Sequence, residues 1–258
     1  LNSLYPHLIM QYNISPETYY DVKTNGISVE NMLSQQVNLK FTKDKNITIA
    51  PKGAMFRRDK QGFLPELMQK MYGDRVVYKK KMIEAKKEFE KTKDPIYKNE
   101  IARCHNIQMA KKIALNSAYG AIGNQYFRYF DVKQAEAITL GGQLSIRWIE
   151  RDVNKFMNKV LETDNQNYVV ASDTDSIYIS MGKLVEKVCK DKTPQQITDF
   201  LDKVSEQKLQ KIIDGSFEHL ADYVNAFEQK MVMKREAIAN KGIWVAKKRY
   251  MLNLFDEE

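Results

Sequence analysis

Cysteine and histidine are scarce in this chain. Cys104 and Cys189 are too few for a disulfide framework, and three histidines (His7, His105, His219) in no repeated spacing argue against a structural zinc site. That usage fits a reducing compartment. Glycine and proline are also sparse, 11 and 6 of 258 residues, which excludes a collagen-like or low-complexity chain. No apolar run approaches the roughly 18 residues of a membrane span, and no basic-then-apolar leader opens the sequence. The expectation is a soluble intracellular protein without a membrane partner. What is plentiful is core material and positive charge: 43% hydrophobic residues, 10% aromatics, and 41 Lys+Arg against 33 Asp+Glu, a formal charge of +8. The length allows about one or two domains. The chain opens on Leu1-Asn2-Ser3 without methionine and stops at Phe255-Asp256-Glu257-Glu258 straight after a strand-like run, so both ends look cut.

The charge is unevenly placed. Residues 56–112 hold 16 Lys+Arg and 8 Asp+Glu, which is the whole excess, and the remainder is balanced. After Gly62 and Pro65, apolar residues recur at Leu67, Met68, Met71, Tyr72, Val76, Met82, Ile83 and Phe89, near the helical period. A break follows at Lys93-Asp94-Pro95, and periodicity resumes through Ile96, Ile101, Ile107, Leu115 and Tyr119 until Gly120 and Gly123. The pattern predicts two long antiparallel helices joined by a tight tip. A basic helical hairpin has two readings, a solvated face or a surface for phosphates. Spacing bears on the choice. Arg75 and Lys79 are four apart and share a helix face, and Lys112 lies about as far beyond Asp94 as Arg75 lies before it, each about 27 Å away at 1.5 Å per residue. The three cations can converge, an arrangement suited to a triphosphate.

The rest of the chain mixes helix and strand. Residues 1–35 read as a strand end, a turn over Ser3 to Pro6, a helix including His7 to Tyr12, and a loop opened by Ser15-Pro16-Glu17. Asp131 to Leu161 reads as one amphipathic helix with Ile138, Leu144, Ile146, Trp148, Val153, Phe156 and Val160 as its core side. Tyr168-Val169-Val170-Ala171 and Ile177-Tyr178-Ile179 flank Ser172-Asp173-Thr174-Asp175-Ser176 as a hairpin. Pro194 begins a helix to about Tyr223; Gln229 to Glu236 and Ile243 to Leu254 read as strands, and Ala239-Asn240-Lys241-Gly242 as a loop. The expected fold is α+β, a layer domain with an antiparallel sheet and packed helices, carrying an inserted two-helix antiparallel hairpin.

Asp173 and Asp175 stand one residue apart at that hairpin apex. Asp-Thr-Asp is ordinary turn chemistry. It is also a pair of hard oxygen donors of the kind Mg²⁺ prefers, with the other positions left to water and substrate phosphates. Paired with distant phosphate-reaching cations, the second reading describes nucleotidyl transfer.

At this point the residues form a known pattern. The chain resembles the family B DNA polymerases, in particular the replicative enzymes of T4-type bacteriophages, over essentially its full length. Ser3-Leu4-Tyr5-Pro6 looks like the first motif, Asp-x-x-Ser-Leu-Tyr-Pro, with His7 where serine is common. Lys112-Ile113-Ala114-Leu115-Asn116-Ser117-Ala118-Tyr119-Gly120 is similar to the second, Lys-x-x-x-Asn-Ser-x-Tyr-Gly, intact. Asp173-Thr174-Asp175-Ser176 resembles the third, with Ala171-Ser172 in place of the frequent Tyr-Gly, and Lys247-Lys248-Arg249-Tyr250 the family's Lys-Lys-Arg-Tyr element. Four motifs in order make the resemblance specific.

The resemblance implies a polymerase palm with an inserted fingers hairpin: residues 1–60 as palm and approach, 61–123 as fingers, and 124–258 as palm with the Asp-Thr-Asp hairpin and the start of a duplex-binding region. It implies template-directed DNA synthesis on primer-template DNA from deoxynucleoside triphosphates with two Mg²⁺ ions. Asp175 would ligate both ions, Asp173 would tune the site, and the Leu1 carbonyl would join the second ion. Ser3 and Leu4 would offer backbone N–H groups to the β- and γ-phosphates, and Tyr5 would lie under the sugar, where a 2′-hydroxyl would clash. Arg75, Lys79 and Lys112 would hold the triphosphate as the hairpin closes. Asn116 and Tyr119 would line the minor-groove side of the nascent pair, and Gly120 would let the template base approach. Lys247 would belong to the same DNA-binding element as Lys248, which would read minor-groove acceptors, while Arg249 and Tyr250 would meet the primer strand. A sliding clamp would be reached through regions outside this segment, and the place of action would be the cytoplasm of a bacterial host.

Two departures qualify the likeness. Lys234 stands where an acidic residue precedes Arg-Glu in the family, and the first-motif aspartate, an exonuclease domain and a thumb are expected outside residues 1–258. The chain alone is then expected to be inactive. Other readings stay open: a non-catalytic nucleic-acid-binding fragment, a piece of a split polymerase, or a helical-hairpin interaction module.

Overall fold

The computed structural model describes residues 3–22 and 26–257. They fall into two compact units, one formed by Ser3–Gly141 with Tyr223–Lys230, the other by Gly142–Asp222 with the segment from Met231 onward. The fold is α+β, with long helices and small antiparallel sheets.

The first unit begins with α1 (Leu4–Tyr12). The helix starts three residues before the expected His7, because Pro6 sits in its first turn, where no intrahelical N–H is required. It stops at Asn13, held in the left-handed region at φ 57°. The Asn13 side chain explains why: its Nδ2 donates to the carbonyls of Arg57 (2.7 Å) and Lys60 (2.9 Å), and its Oδ1 accepts from the Gly62 amide (2.8 Å). One buried amide thus ties the end of α1 to the chain entering the long hairpin. β1 (Tyr19–Tyr20), α2 (Val29–Leu33), α3 (Phe41–Asp44), β2 (Ile47–Ile49) and β3 (Met55–Arg57) follow, and the strands pair antiparallel in the order β1-β3-β2. Strands of two or three residues carry no readable alternation, so the sequence did not announce this sheet.

α4 (Phe63–Thr92) and α5 (Pro95–Ile122) pack antiparallel as expected. Gly62 is required at the entry: a Cβ there would lie 2.5 Å from the Ser15 Cβ. Glu17 and Ser15 then cap α4 by accepting from Phe63 N (2.6 Å) and Leu64 N (3.4 Å). At the tip Lys93 takes φ 58°, and Asp94 caps α5 by accepting from Ile96 N (2.9 Å), with Pro95 at the first helical position. The core of this unit gathers Leu8, Ile9, Tyr12, Ile14, Met32, Ile49, Met55, Phe56, Met68 and Leu115. Of the apolar positions on α4, Met68 and Met82 are buried but Leu67 and Ile83 are exposed. Tyr223–Lys230 is stitched in by the Asn225 Nδ2, which donates to Thr42 O and Ile47 O.

α6 (Val132–Leu161) crosses the boundary between the units at Gly141. Ile138, Leu144, Ile146, Trp148 and Val153 are buried as expected, but Phe156 is half-buried and Val160 exposed. Met157 and Leu161 take the inward positions instead. In the second unit Asn154 and Asn158 of α6 set the following strand: Asn154 Oδ1 accepts from Tyr168 N (2.7 Å) and Val169 N (3.0 Å), and Asn158 bonds both backbone groups of Gln166. β4 (Val169–Asp173) and β5 (Ser176–Ile179) form the anticipated hairpin, with Val170 bulged out of the ladder. α7 (Gly182–Val188), α8 (Pro194–Val204), one π turn over Ser205–Leu209 and α9 (Gln210–Tyr223) follow. Ser216 of α9 donates to Asp152 of α6.

Three expectations fail in the last segment. Gln229 to Glu236 joins no strand ladder; Met231 and Met233 are both buried, which imitates strand alternation, while the Met233 carbonyl accepts from the Gln210 side chain (2.9 Å). Residues 239–242 are strand rather than loop, inside β6 (Ala237–Ala246). Ile243 to Leu254 is not one strand, because the chain reverses at Lys247-Lys248 into β7 (Arg249–Glu257), with Lys248 at φ 61°.

Candidate active site

In the first unit the start of α1 faces the hairpin. Ser3, at φ 56°, precedes the helix, and its Oγ accepts from Arg75 Nη1 at 3.4 Å. The Nδ1 of His7 lies 2.9 Å from the Ser3 carbonyl, and the His7 ring meets Tyr72 of α4 edge to face at 4.5 Å. Burial pushes the His7 pKa below its usual value, as do the nearby Lys230 and Arg75 charges, against the opposing effect of the bond to Ser3. Tyr5 packs on Tyr119 of α5, centroids 4.5 Å apart and tilted by 34°. Burial, and then the nearness of Tyr5, raises the Tyr119 phenol.

Across the hairpin Lys111 Nζ bonds Asp74 Oδ2 at 2.7 Å. This pair links α4 to α5 next to Arg75 and Lys112 in sequence, and Lys79 lies about one turn from Arg75 on α4. Lys79, Lys112 and Asn116 are exposed and Arg75 is half-buried. The Arg75 Nε is buried without a hydrogen-bond partner among the described residues, a donor left over for a ligand oxygen. A Cβ on Gly120 would meet no atom within 4 Å, so packing does not require glycine there. Leu1 lies outside the described residues.

In the second unit the other two motifs come together. The β4–β5 hairpin turns at Thr174-Asp175, with Thr174 at φ 51° and its hydroxyl donating to Asp173 Oδ1 (3.0 Å). Asp173 and Asp175 are both half-buried. Lys247 and Lys248 form the tip of β6–β7, with Arg249 and Tyr250 leading away. A cavity of about 150 Å³ is lined by Asp173, Tyr178, Trp244, Lys247, Lys248 and Tyr250 among others. Its wall is an aromatic cluster: Tyr178 meets Trp244 at 5.2 Å and Tyr250 at 5.3 Å, both edge-on. Burial, and next the hydrogen bond with Tyr250, pushes the Tyr178 phenol up to about 12. Two carboxylates on a strand turn are the donor set that Mg²⁺ takes while leaving positions to water and phosphate. No group of three or more metal-binding His, Cys, Asp or Glu side chains occurs among the described residues.

Sequence reasoning passed over His7, Tyr178 and Trp244. Tyr178 was legible as a β5 residue three positions after Asp175, whereas Trp244 became meaningful only once Lys247-Lys248 was known to be a turn. It also missed the loop after α5, where Tyr126 is 87% exposed and the Arg128 guanidinium lies 5.6 Å from the Tyr129 ring, an aromatic and cationic surface of the sort on which bases stack.

The sequence profile of DNA polymerase family B matches residues 1–214. The chain belongs to DNA polymerase family B. It is 32% identical over 309 aligned positions to the DNA-directed DNA polymerase of Enterobacteria phage T4, covering all of this chain and 34% of that protein. Escherichia phage RB69 DNA-directed DNA polymerase is 32% identical over 310 positions with the same coverage, and Pyrococcus abyssi DNA polymerase 1 is 27% identical over 258, covering 99% of this chain and 25% of the relative. The chain therefore spans about a third of the length of its phage relatives. The phage T4 alignment exceeds the 258 residues by 51 positions, so the phage enzyme carries insertions that this family B chain lacks. No helix among the described residues is long and apolar enough to cross a membrane.

Proposed function

We propose that this chain forms the palm and fingers of a template-directed DNA polymerase that adds deoxynucleoside triphosphates to a primer 3′ end. The observation that carries the reading is the shared cavity of the second unit, which Asp173 lines together with Lys247, Lys248 and Tyr250. The Asp173 carboxylate, read as a metal ligand, and the Lys247-Lys248 tip, read as a grip on the strand, line the same cavity, which supports this reading.

Asp173 and Asp175 would hold Mg²⁺, joined by the Leu1 carbonyl; two such ions, when bound, supply Lewis acidity at the attacking 3′-hydroxyl and the leaving pyrophosphate. The remaining work falls to side chains and backbone. Arg75, with its spare Nε, and the exposed Lys79 and Lys112 neutralise and orient the triphosphate. The amides of Ser3 and Leu4 receive its β- and γ-oxygens. Tyr5, pressed on Tyr119, forms the floor beneath the sugar. Asn116, Tyr119 and Gly120 test the shape of the nascent pair. Lys248 approaches the minor-groove acceptors common to every base pair, Lys247 adds charge at the same tip, and Arg249 and Tyr250 hold the primer strand.

In this reading residues 61–123 are the fingers, and residues 1–60 and 124–258 belong to the palm. Catalysis is then a property of the full-length protein, with a clamp as a partner reached through other segments.

The experiment is primer extension by the full-length protein with Mg²⁺ and all four deoxynucleotides, beside its Asp175→Ala variant. Extension by the parent with a loss of about a thousandfold or more in the variant is expected from displaced reacting groups. No extension by the parent, or equal extension by both, overturns the proposal.

A further inference from the structure

The His7 side chain has no role in the reading above, yet it bonds a residue of that reading whose backbone is held in an unfavourable region. Ser3 is held in the left-handed region at φ 56°, a conformation unfavourable for serine. Its carbonyl accepts from the His7 ring at 2.9 Å and from the His7 amide at 3.3 Å, and its hydroxyl accepts from Arg75 at 3.4 Å. A carbonyl oxygen only accepts, so the proton of His7 is on Nδ1. The same ring leans edge-on against Tyr72, one turn before Arg75 on α4. His7 thereby links the Ser3 turn to the helix that carries Arg75 and Lys79.

A serine at this position offers a chemical comparison with the histidine. On a helix a serine hydroxyl donates to the carbonyl four residues earlier, and here that carbonyl is Ser3. The His7 Nδ1 makes the same bond, and its ring adds the contact to Tyr72 that a hydroxymethyl group could not reach.

We infer that His7 is a positioning residue for the incoming nucleotide: by donating Nδ1–H to the Ser3 carbonyl and packing on Tyr72, it fixes the Ser3-Leu4 amides against the helix bearing the triphosphate-binding cations. The inference rests on the polymerase reading and names the residue that organises its phosphate end. His7 touches no reacting group, so its effect belongs in nucleotide KM and not in kcat or duplex affinity.

The test uses the full-length protein with His7→Leu and His7→Asn. Leucine removes the donor; asparagine places an amide N–H about where Nδ1 stands. Single-nucleotide incorporation should give His7→Leu a nucleotide KM about five- to tenfold above the parent, the weight of one lost neutral hydrogen bond. Its kcat and its affinity for primer-template should stay within about twofold, which also reports that the variant is folded. His7→Asn should return KM to within about twofold of the parent. A parent-like KM in His7→Leu, an Asn variant as impaired as Leu, or equal losses in KM and duplex affinity would each overturn the inference while leaving an active parent polymerase intact. A parent that incorporates no nucleotide overturns the polymerase reading first, and this inference with it.

Discussion

Tyr5 occupies the second position of α1, and its ring packs on Tyr119, 4.5 Å off at a 34° tilt. A surface fixed by packing before the substrate arrives can discriminate by overlap alone. Forcing one extra oxygen against such a ring costs about 1–3 kcal/mol, which is roughly 5- to 150-fold in selection against a ribonucleotide. Tyr5→Val should raise the ratio of ribonucleotide to deoxyribonucleotide incorporation by a factor in that range, measured in single-turnover reactions with both substrates. An unchanged ratio would leave Tyr5 as a packed aromatic with no part in sugar choice. At this scale the sequence was informative about chemistry and silent about partners. The motif residues could be picked out one by one, but nothing in the order of letters placed the Tyr5 ring on Tyr119, made the Asn13 amide a three-way tie, or left the Arg75 Nε over.

Elements were legible where their signals were long or chemically loud. The α4–α5 hairpin was readable because about thirty residues on each side keep one period and the tip combines Lys93, Asp94 and Pro95 in a stop-and-cap sequence. The β6–β7 reversal was not, since Lys247-Lys248 contains neither glycine nor asparagine, the residues that ordinarily announce a left-handed turn position. Lys248 therefore holds φ 61° at a cost of about 1 kcal/mol. A residue kept in an unfavourable conformation at the tip of an exposed hairpin invites a test in which stability and binding move in opposite directions. Lys248→Gly should raise the thermal midpoint by about 1–4 °C for a protein of this size, because glycine adopts the turn freely. The same change should weaken primer-template affinity several-fold through the lost cation. Calorimetry and fluorescence anisotropy on the full-length protein would read the two effects, and a fall in the midpoint would mean that the turn does not carry the strain its dihedral implies.

Over the whole molecule the cations named above form two populations with different work. The excess over residues 56–112 includes Arg75, Lys79 and Lys112, assigned here to one triphosphate, whereas Lys247, Lys248 and Arg249 form an exposed cluster at a hairpin tip in the other unit, assigned to the duplex. The two assignments predict different salt behaviour. Two cations meeting duplex phosphates, Lys247 and Arg249, contribute a slope of about −1.8 to log affinity against log salt, so raising salt from about 50 to 200 mM should cost about 12-fold through the tip alone. Neutralising Lys247, Lys248 and Arg249 together should flatten the slope by about that amount. Lys112→Ala should leave the slope unchanged and instead weaken nucleotide incorporation by roughly 10- to 150-fold, the loss of one charged hydrogen bond of about 1.5–3 kcal/mol. Anisotropy titrations of primer-template at several salt concentrations, with incorporation kinetics on the same variants, separate the populations. If Lys112→Ala flattened the slope while nucleotide KM stayed at the parent value, the hairpin of α4 and α5 would be a duplex-binding surface, and the convergence of its cations on a triphosphate would be wrong.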